Sequence, residues 1–240
     1  MKRLAIIPAR GGSKRILNKN IRDFCGQPMI THVLGAARDS GLFSTIHVST
    51  ESDSIRDVAA CFGFPPEFSR PDELADDHTP IMPVLRHATQ EYLRRGQVFD
   101  EIWLLMACAP LVGVKDLLKA AGLFEASGGQ QPLLAVSEYP APIEWAFSRG
   151  ENGVLTPVQA GMFAVRSQDL EKRYFDAGSF AVFPAARVLE SQGAGSDSGF
   201  IGYALPKGAA IDIDDEQDWQ LAEAIYRVRA TRTKKNKEQA

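Results

Sequence analysis

Two stretches of this chain carry residue types that could do chemistry together. The first is Pro8–Ala9–Arg10–Gly11–Gly12–Ser13–Lys14–Arg15, with Lys19 and Asn20 just beyond it. Glycine lets backbone N–H groups approach an anion with no Cβ in the way, and the arginines and lysines bring fixed positive charge. Arginine can grip a phosphate through two parallel hydrogen bonds. The chemistry implied is the holding of a phosphate; a Gly-Gly turn with a solvated basic face is the other reading that the loop by itself leaves open. The second stretch is Ile211–Asp212–Ile213–Asp214. In an extended segment both carboxylates point to one face and both isoleucines to the other. Two convergent carboxylates suit Mg²⁺, which takes oxygen ligands and uses substrate phosphates for part of its shell. Asp214 or Asp215 could equally cap the helix that contains Trp219, with Glu216 in its first turn.

Other chemistries find less support. Nothing matches G-x-G-x-x-G, so a nicotinamide oxidoreductase is not expected, and the G-x-x-x-x-G-K-[ST] phosphate loop of kinases and GTPases is absent too. The histidines His32, His47, His78 and His87 have no metal-ligand spacing and read as surface or packed residues. Cys108 has no histidine partner that sequence can assign, so it reads as a small buried residue rather than a nucleophile.

The elements that must position these residues alternate along the chain. Leu4–Ile7 is a short apolar run of the kind found in a strand buried on both faces. Pro8 ends it, and the polar stretch from Arg10 to Asn20 follows directly, where ligands bind in a parallel α/β sheet. Pro28 opens a helical pattern through Met29, Ile30, Val33, Leu34 and Ala37, which Gly41 stops. Thr45–Thr50 reads as a strand, Ile55–Phe62 as a helix and Ile81–Tyr92 as an amphipathic helix. Ile102–Met106 is a strand, Val114–Phe124 a helix and Leu133–Val136 another strand. This order argues an α/β fold with a mostly parallel sheet covered on both faces. Between Tyr139 and Asp176 the alternation breaks, and an irregular stretch of that length inside a compact domain is usually functional. Phe180–Phe183, Gly199–Leu205 and Ile211–Ile213 look like late strands, and Leu221, Ala224, Ile225 and Val228 place a last helix on the core.

With 240 residues, 45% of them apolar, the chain can bury a large core, and its length suits one domain over residues 1–230. A net charge of -3 gives no footprint for nucleic acid. No apolar run is long enough to span a bilayer and none resembles a signal segment, so no membrane partner is expected. The three cysteines are far apart, suggesting neither a disulfide framework nor a zinc site. A soluble, cytoplasmic protein is expected, with residues 231–240 a solvated, disordered basic tail.

The motifs taken together resemble the acylneuraminate cytidylyltransferase family. The resemblance rests on Ile7–Ile16 with Lys19–Asn20–Ile21, on Cys25–Gly26–Gln27–Pro28–Met29–Ile30, on Val48–Ser49–Thr50, on Arg70–Pro71–Asp72–Glu73–Leu74 and on Ile211–Asp214, all in the family's order over nearly the whole chain. It implies a Rossmann-like fold of the nucleotide-diphospho-sugar transferase type. The activity implied is transfer of CMP from CTP to the anomeric hydroxyl of an acidic nine-carbon sugar, with release of pyrophosphate. It also implies Mg²⁺ on Asp212 and Asp214, and triphosphate charge met by Arg10 and Lys19. Nucleotide contacts would come from Arg10, Gly11, Gly12, Ser13, Lys14, Asn20 and Arg70. Residues 139–176 would be a dimerisation arm whose Arg166 reaches a sugar, making the chain a homodimer.

One departure bears on the sugar. Sialate enzymes carry Gln-Pro-Thr-Ser-Pro where this chain has Met106–Ala107–Cys108–Ala109–Pro110. Replacing the amide with a thioether suits a less hydroxylated sugar, since leaving buried hydroxyls unpaired would cost roughly 1–3 kcal/mol. Arg166–Leu170 and Asp176–Gly178 look like the branch of the family that acts on pseudaminic acid, with neuraminate and legionaminate as the alternatives. A nucleotide-sugar-dependent glycosyltransferase also uses Asp-x-Asp, but usually in mid-chain and without this basic loop.

Overall fold

The computed structural model describes residues 1–196 and 198–238, with side chains as far as Thr231. The first strand, β1 (Arg3–Pro8), leads through the basic loop to a two-residue ribbon of β2 (Asp23–Phe24) and β3 (Gln27–Pro28). Helix α1 (Met29–Ser40) follows, and Gly41 closes it at φ 64°, its N–H bonded to the carbonyl of Arg38. Only glycine adopts that left-handed conformation without strain. Next come β4 (Thr45–Ser49), α2 (Asp53–Cys61), α3 (Ile81–Arg94), β5 (Glu101–Leu105), α4 (Val114–Ala126) and β6 (Leu133–Glu138). A small hairpin of β7 (Phe147–Arg149) and β8 (Leu155–Pro157) lies in the irregular region. The chain then forms β9 (Tyr174–Pro184), α5 (Ala185–Glu190), β10 (Ile201–Ala204) and α6 (Glu216–Glu238).

Six strands make the main sheet, in the order β10-β6-β9-β5-β1-β4. All neighbours are parallel except β9, which runs antiparallel to both β5 and β6. The α/β class, the mostly parallel sheet and the two helical layers are as the sequence implies. Alternation along β1 explains the layers. Ala5 and Ile7 point into a core shared with α1, α2 and α4, while Leu4 and Ile6 point into a second core with α3 and α5. A third cluster joins Ile16, Phe24 and Met29 to Ile213, Trp219 and Ala222 of the C-terminal region.

Two expectations are corrected. Ile211–Ile213 is not a strand: it has no ladder partner among the described residues, although Ile213 is fully buried and the alternation of buried and exposed side chains persists. Its apolar residues are held by side-chain packing instead. The segment read as a disordered tail continues α6 to Glu238. It contains neither glycine nor proline and is rich in lysine, so nothing in it breaks a helix. Residues 239–240 of that expectation lie outside the described residues. The irregular region also ends slightly earlier than read, because β9 begins at Tyr174.

One buried titratable group makes the fold pH-sensitive. His47 on β4 is fully enclosed, stacked on Phe68 with its Nδ1 facing the Tyr92 hydroxyl, and its Nε2 has no hydrogen-bond partner. Burial first, then the nearby His87, Arg70 and Arg95, push its pKa from 6.5 to about 3. A folded-state pKa below the unfolded one means that the unfolded chain binds the extra proton, so stability is lost as pH falls from about 6.5 towards 3. We expect this histidine to remove about 2 kcal/mol of unfolding free energy between about pH 8 and pH 5. Urea denaturation of wild type and His47→Gln at the two pH values checks this: the variant should lose much less, and an equal loss would refute the assignment.

Candidate active site

Because β1, β4 and β5 are parallel, their carboxyl ends lie at one edge of the sheet, and the loops that leave them meet there. The segment before α6 packs against these loops through Ile213, which contacts the cluster containing Ile16, Cys108 and Leu111. A cavity of about 300 Å³ opens between these pieces. Its lining includes Arg10, Ser13, Lys14, Lys19, Asn20 and Arg70. Asp214, Met106, Cys108 and the carboxylates of Asp76 and Asp77 also line it. Residues nearly two hundred positions apart are thus brought to one concave surface, as in ligand sites generally.

Each basic residue of the loop has a partner. Arg10 and Lys14 both donate to Asp77, one to each carboxylate oxygen. Lys19 donates from Nζ to the Ile213 carbonyl at 2.7 Å and lies 4.0 Å from Asp214 Oδ1. Arg15 meets the same Asp214 oxygen at 2.7 Å. Buried Asn20 holds the loop by donating from Nδ2 to the Arg10 carbonyl at 3.1 Å. Arg70 is buried with its guanidinium fixed on the Ser49 hydroxyl and carbonyl. Burial lowers its pKa to about 10, against the opposing pull of Glu51. It therefore remains a cation at neutral pH.

Gly11 and Gly12 are placed differently from the cations beside them. Neither lines the cavity. The Gly11 N–H is bonded to Glu51 Oε1 at 2.7 Å, and a Cβ at position 11 would stand 3.0 Å from the Cβ of Ser52. Glycine at 11 is needed for the loops after β1 and β4 to touch. Gly12 is exposed, and a Cβ there would meet nothing within 4 Å.

Of the two residues the sequence left open as the cap of the last helix, Asp214 and Asp215, the structure uses Asp215. Asp215 Oδ1 accepts the N–H groups of Gln217 and Asp218 at 2.8 and 3.0 Å, which makes it the cap of α6. Asp218 returns the bond, accepting the N–H groups of Asp214 and Asp215. The carboxylates of Asp212 and Asp214 take no part in capping. Asp212 lies against Gly178, which sits at φ 58° and whose missing Cβ would be 3.5 Å from the Asp212 Cγ. Partial burial first, and the neighbouring Asp214 second, raise the Asp212 pKa, while Lys19 and Arg15 oppose them. Two carboxylates held close enough to repel suit a divalent cation. Among the described residues no group of three or more His, Cys, Asp or Glu side chains could hold a metal, so an ion here would complete its shell with phosphate oxygens or water.

Met106 lines the cavity and also packs on both main cores, with its N–H bonded to the Ser179 carbonyl at 2.8 Å. Cys108 is buried, and burial raises its thiol pKa, which keeps it protonated and unsuited to nucleophilic attack. Arg166 is not in the cavity: it is exposed in the region between β6 and β9 and pairs with Asp169 at 2.9 Å. Glu51 and Asp77 were not singled out by sequence, because they lie in short polar stretches with no period or motif of their own.

Comparison with known proteins agrees with the motifs. A family model described as cytidylyltransferase matches residues 4–96. The chain is 36% identical over 228 residues to the pseudaminic acid cytidylyltransferase of Campylobacter jejuni subsp. jejuni serotype O:2, covering 95% of this chain and 97% of the relative. It is 29% identical to the CMP-N,N'-diacetyllegionaminic acid synthase of Legionella pneumophila, covering 94% and 96%. Among solved structures it resembles a CMP:2-keto-3-deoxy-manno-octonic acid synthetase complexed with CTP, with a TM-score of 0.70 and 15% identity over 95% of this chain and all of that one. That likeness supports the fold.

If the acidic pair holds a cation, Asp214→Asn should abolish magnesium-dependent nucleotide turnover, by a factor of about a thousand or more. Its exposed pair with Arg15 contributes little to stability, so the thermal midpoint should move by only a few degrees. Full turnover by the variant in magnesium would remove the metal assignment.

Proposed function

The chain belongs to the cytidylyltransferase family, and from that membership we propose that it transfers CMP from CTP to the anomeric hydroxyl of pseudaminic acid and releases pyrophosphate. The observation that carries this reading is the single cavity that gathers the basic loop, buried Arg70 and Asp214 at the carboxyl edge of the sheet. The full-length similarity to a pseudaminic acid cytidylyltransferase supports the choice of sugar.

In this reading Arg10, Lys14 and Lys19 bind the triphosphate, and Arg70 supplies a fixed charge deeper in the site. The hydroxyl oxygen of the sugar forms a bond to the α-phosphorus while the bond from that phosphorus to the bridging oxygen of the β-phosphate breaks, and the hydroxyl proton is released to solvent. The loop cations meet the charge that builds on the departing pyrophosphate, which is preorganised electrostatic stabilisation. Asp212 and Asp214 would hold Mg²⁺, which when bound supplies further charge neutralisation at the phosphates. Asn20 and Glu51 keep the loop's backbone in place, so the cations need little rearrangement.

Met106 supports a sugar poor in hydroxyls. Pseudaminic acid carries an acetamido group and a methyl where neuraminate carries a hydroxylated tail, and a hydroxyl facing a thioether would lack a good partner. Measuring kcat/KM for the two sugars with CTP tests this: a preference for pseudaminic acid of about tenfold or more is expected, and equal values or a preference for neuraminate would reject the substrate.

We place the reaction in the cytoplasm, which is supported by its use of CTP and by free Cys25, Cys61 and Cys108; no helix among the described residues is long and apolar enough to cross a membrane. We also assign the chain a homodimeric state. The region between β6 and β9 exposes Phe163 at 72%, with Val154, Leu155, Val158 and Phe147 also open to solvent. An apolar patch of that kind suits burial against a second copy. Arg166 on the same region could then serve the partner's sugar site. Sedimentation at assay concentrations should give a dimer, and a fully active monomer would rule the arm out.

A further inference from the structure

Asp77 stands in the cavity between two of its cations. Its Oδ1 accepts from Arg10 and its Oδ2 accepts from Lys14, so one two-oxygen anion bridges both side chains. Among the described residues no other carboxylate forms an ion pair with Arg10 or Lys14. A phosphate would meet the same two cations with the same geometry of separate oxygens. The aspartate is presented by a stiff turn. Neighbouring Asp76 accepts the N–H groups of His78 and Thr79 at 2.9 and 2.6 Å and the Thr79 hydroxyl at 2.7 Å. That turn is joined through the short helical turn Asp72–Leu74 to Arg70, which is locked on Ser49. Asp77 is therefore set in place by its own segment and is not simply following the loop. The attraction of its two partners holds its carboxyl down at about 2, so it is ionised wherever the protein works.

We propose that Asp77 is an internal competitor for the phosphate site, which occupies Arg10 and Lys14 in the free protein, is displaced by the triphosphate, and returns to help expel pyrophosphate. The proposal rests on the reading of the basic loop as the triphosphate site. An alternative role, holding Arg10 and Lys14 in shape for the nucleotide, predicts effects of opposite sign. A competitor weakens anion binding, whereas a positioning group strengthens it.

The competition follows from charge balance. With Asp77 in place both cations are paired without a ligand, and its single negative charge offsets one of their two positive charges and reduces their mutual repulsion. An incoming phosphate gains the same cations only by breaking two ion pairs, so its net affinity falls by their combined value. Partly exposed pairs are individually weak. Together they shift anion affinity by about threefold to tenfold. Tight binding of pyrophosphate would slow turnover, and an internal carboxylate that recaptures the cations shortens its residence.

The test is calorimetric titration of inorganic pyrophosphate, and separately of CTP, into wild type and Asp77→Asn, with no sugar present. Asn keeps the size of Asp and removes its charge. Pyrophosphate should bind the variant about threefold to tenfold tighter, product inhibition by pyrophosphate should strengthen by the same factor, and KM for CTP should fall. Unchanged or weaker binding by the variant, with wild type binding both ligands, overturns the role of Asp77 and leaves the reading of the site intact. Wild type that binds neither ligand overturns the site reading and the proposal with it. A measurement on wild type alone covers the case in which the variant does not fold: adding pyrophosphate to ¹³C-labelled protein should shift the carboxyl-carbon resonance of Asp77, and a resonance that does not move overturns the proposal.

Discussion

The constraint on which the rest of the structure depends is the concentration of positive charge at one edge of the sheet. Arg10, Lys14, Arg15, Lys19 and buried Arg70 all converge there. Like charges this close repel, and burial of Arg70 adds a desolvation cost. The chain meets the problem with acceptors drawn from every neighbouring segment: Asp77 for Arg10 and Lys14, Asp214 for Arg15, the Ile213 carbonyl for Lys19, and Ser49 with Glu51 nearby for Arg70. The site is thus electrically closed before any ligand arrives. In the proposed reading, ligand phosphates would replace internal partners, so binding would exchange ion pairs and not create them from water.

That solution dictates the architecture. The acidic segment near residue 212 must reach a loop near residue 10, and it does so without joining the sheet. Buried Ile213 supplies the anchor, packing among Ile16, Cys108, Leu111 and Trp219. Arg22 pairs with Glu216 and lies 4.5 Å from the ring centre of Trp219, fixing the start of α6 beside the loop. Strand β9 contributes from the other direction. Running antiparallel in mid-sheet, it brings Gly178 up against Asp212 at a point where the β6–β9 register shifts. The positive φ of 58° favours glycine there, and a Cβ at that position would make only an ordinary contact with the Asp212 carboxylate.

Much of this was legible in the sequence because it depends on local pattern. Short apolar runs gave β1, β5 and β6, and an alternating segment gave β4; helical spacing gave α1, α3 and α4; and the motif order placed the basic loop after the first strand. The spacing drew attention to Asp212 and Asp214 but left a metal pair and a helix cap both open; the resemblance implied the metal pair, and the capping role falls to Asp215. What was not legible is long-range. Ile211–Ile213 has a strand's alternation but finds no strand to pair with, and a hydrogen-bond partner cannot be read from periodicity. The antiparallel direction of β9 depends on how the chain returns after the irregular region. Gly11 also has a role that the sequence did not show: its missing side chain makes room for Ser52, and its N–H serves Glu51. Asp77 had no signal, since its meaning lies wholly in what folds against it.

Glu51 shows how closely the loops depend on one another. One of its oxygens holds the Gly11 N–H, the other is buried without a partner, and its charge favours the cationic form of Arg70. A buried carboxylate is tolerated only where its charge is balanced, and here the balance comes from an arginine carried by a different segment. Arg70 is in turn fixed on Ser49, the last residue of β4, two positions before Glu51. The loop after β1, the end of β4 and the segment leading to Asp77 therefore share one charge account. Removing Glu51 would take away the charge that favours the cationic form of buried Arg70, a larger penalty than loss of an exposed pair. The shape of the basic loop is therefore set by groups outside it as well as by its own backbone: Glu51 holds the Gly11 N–H, and Asp77 holds Arg10 and Lys14.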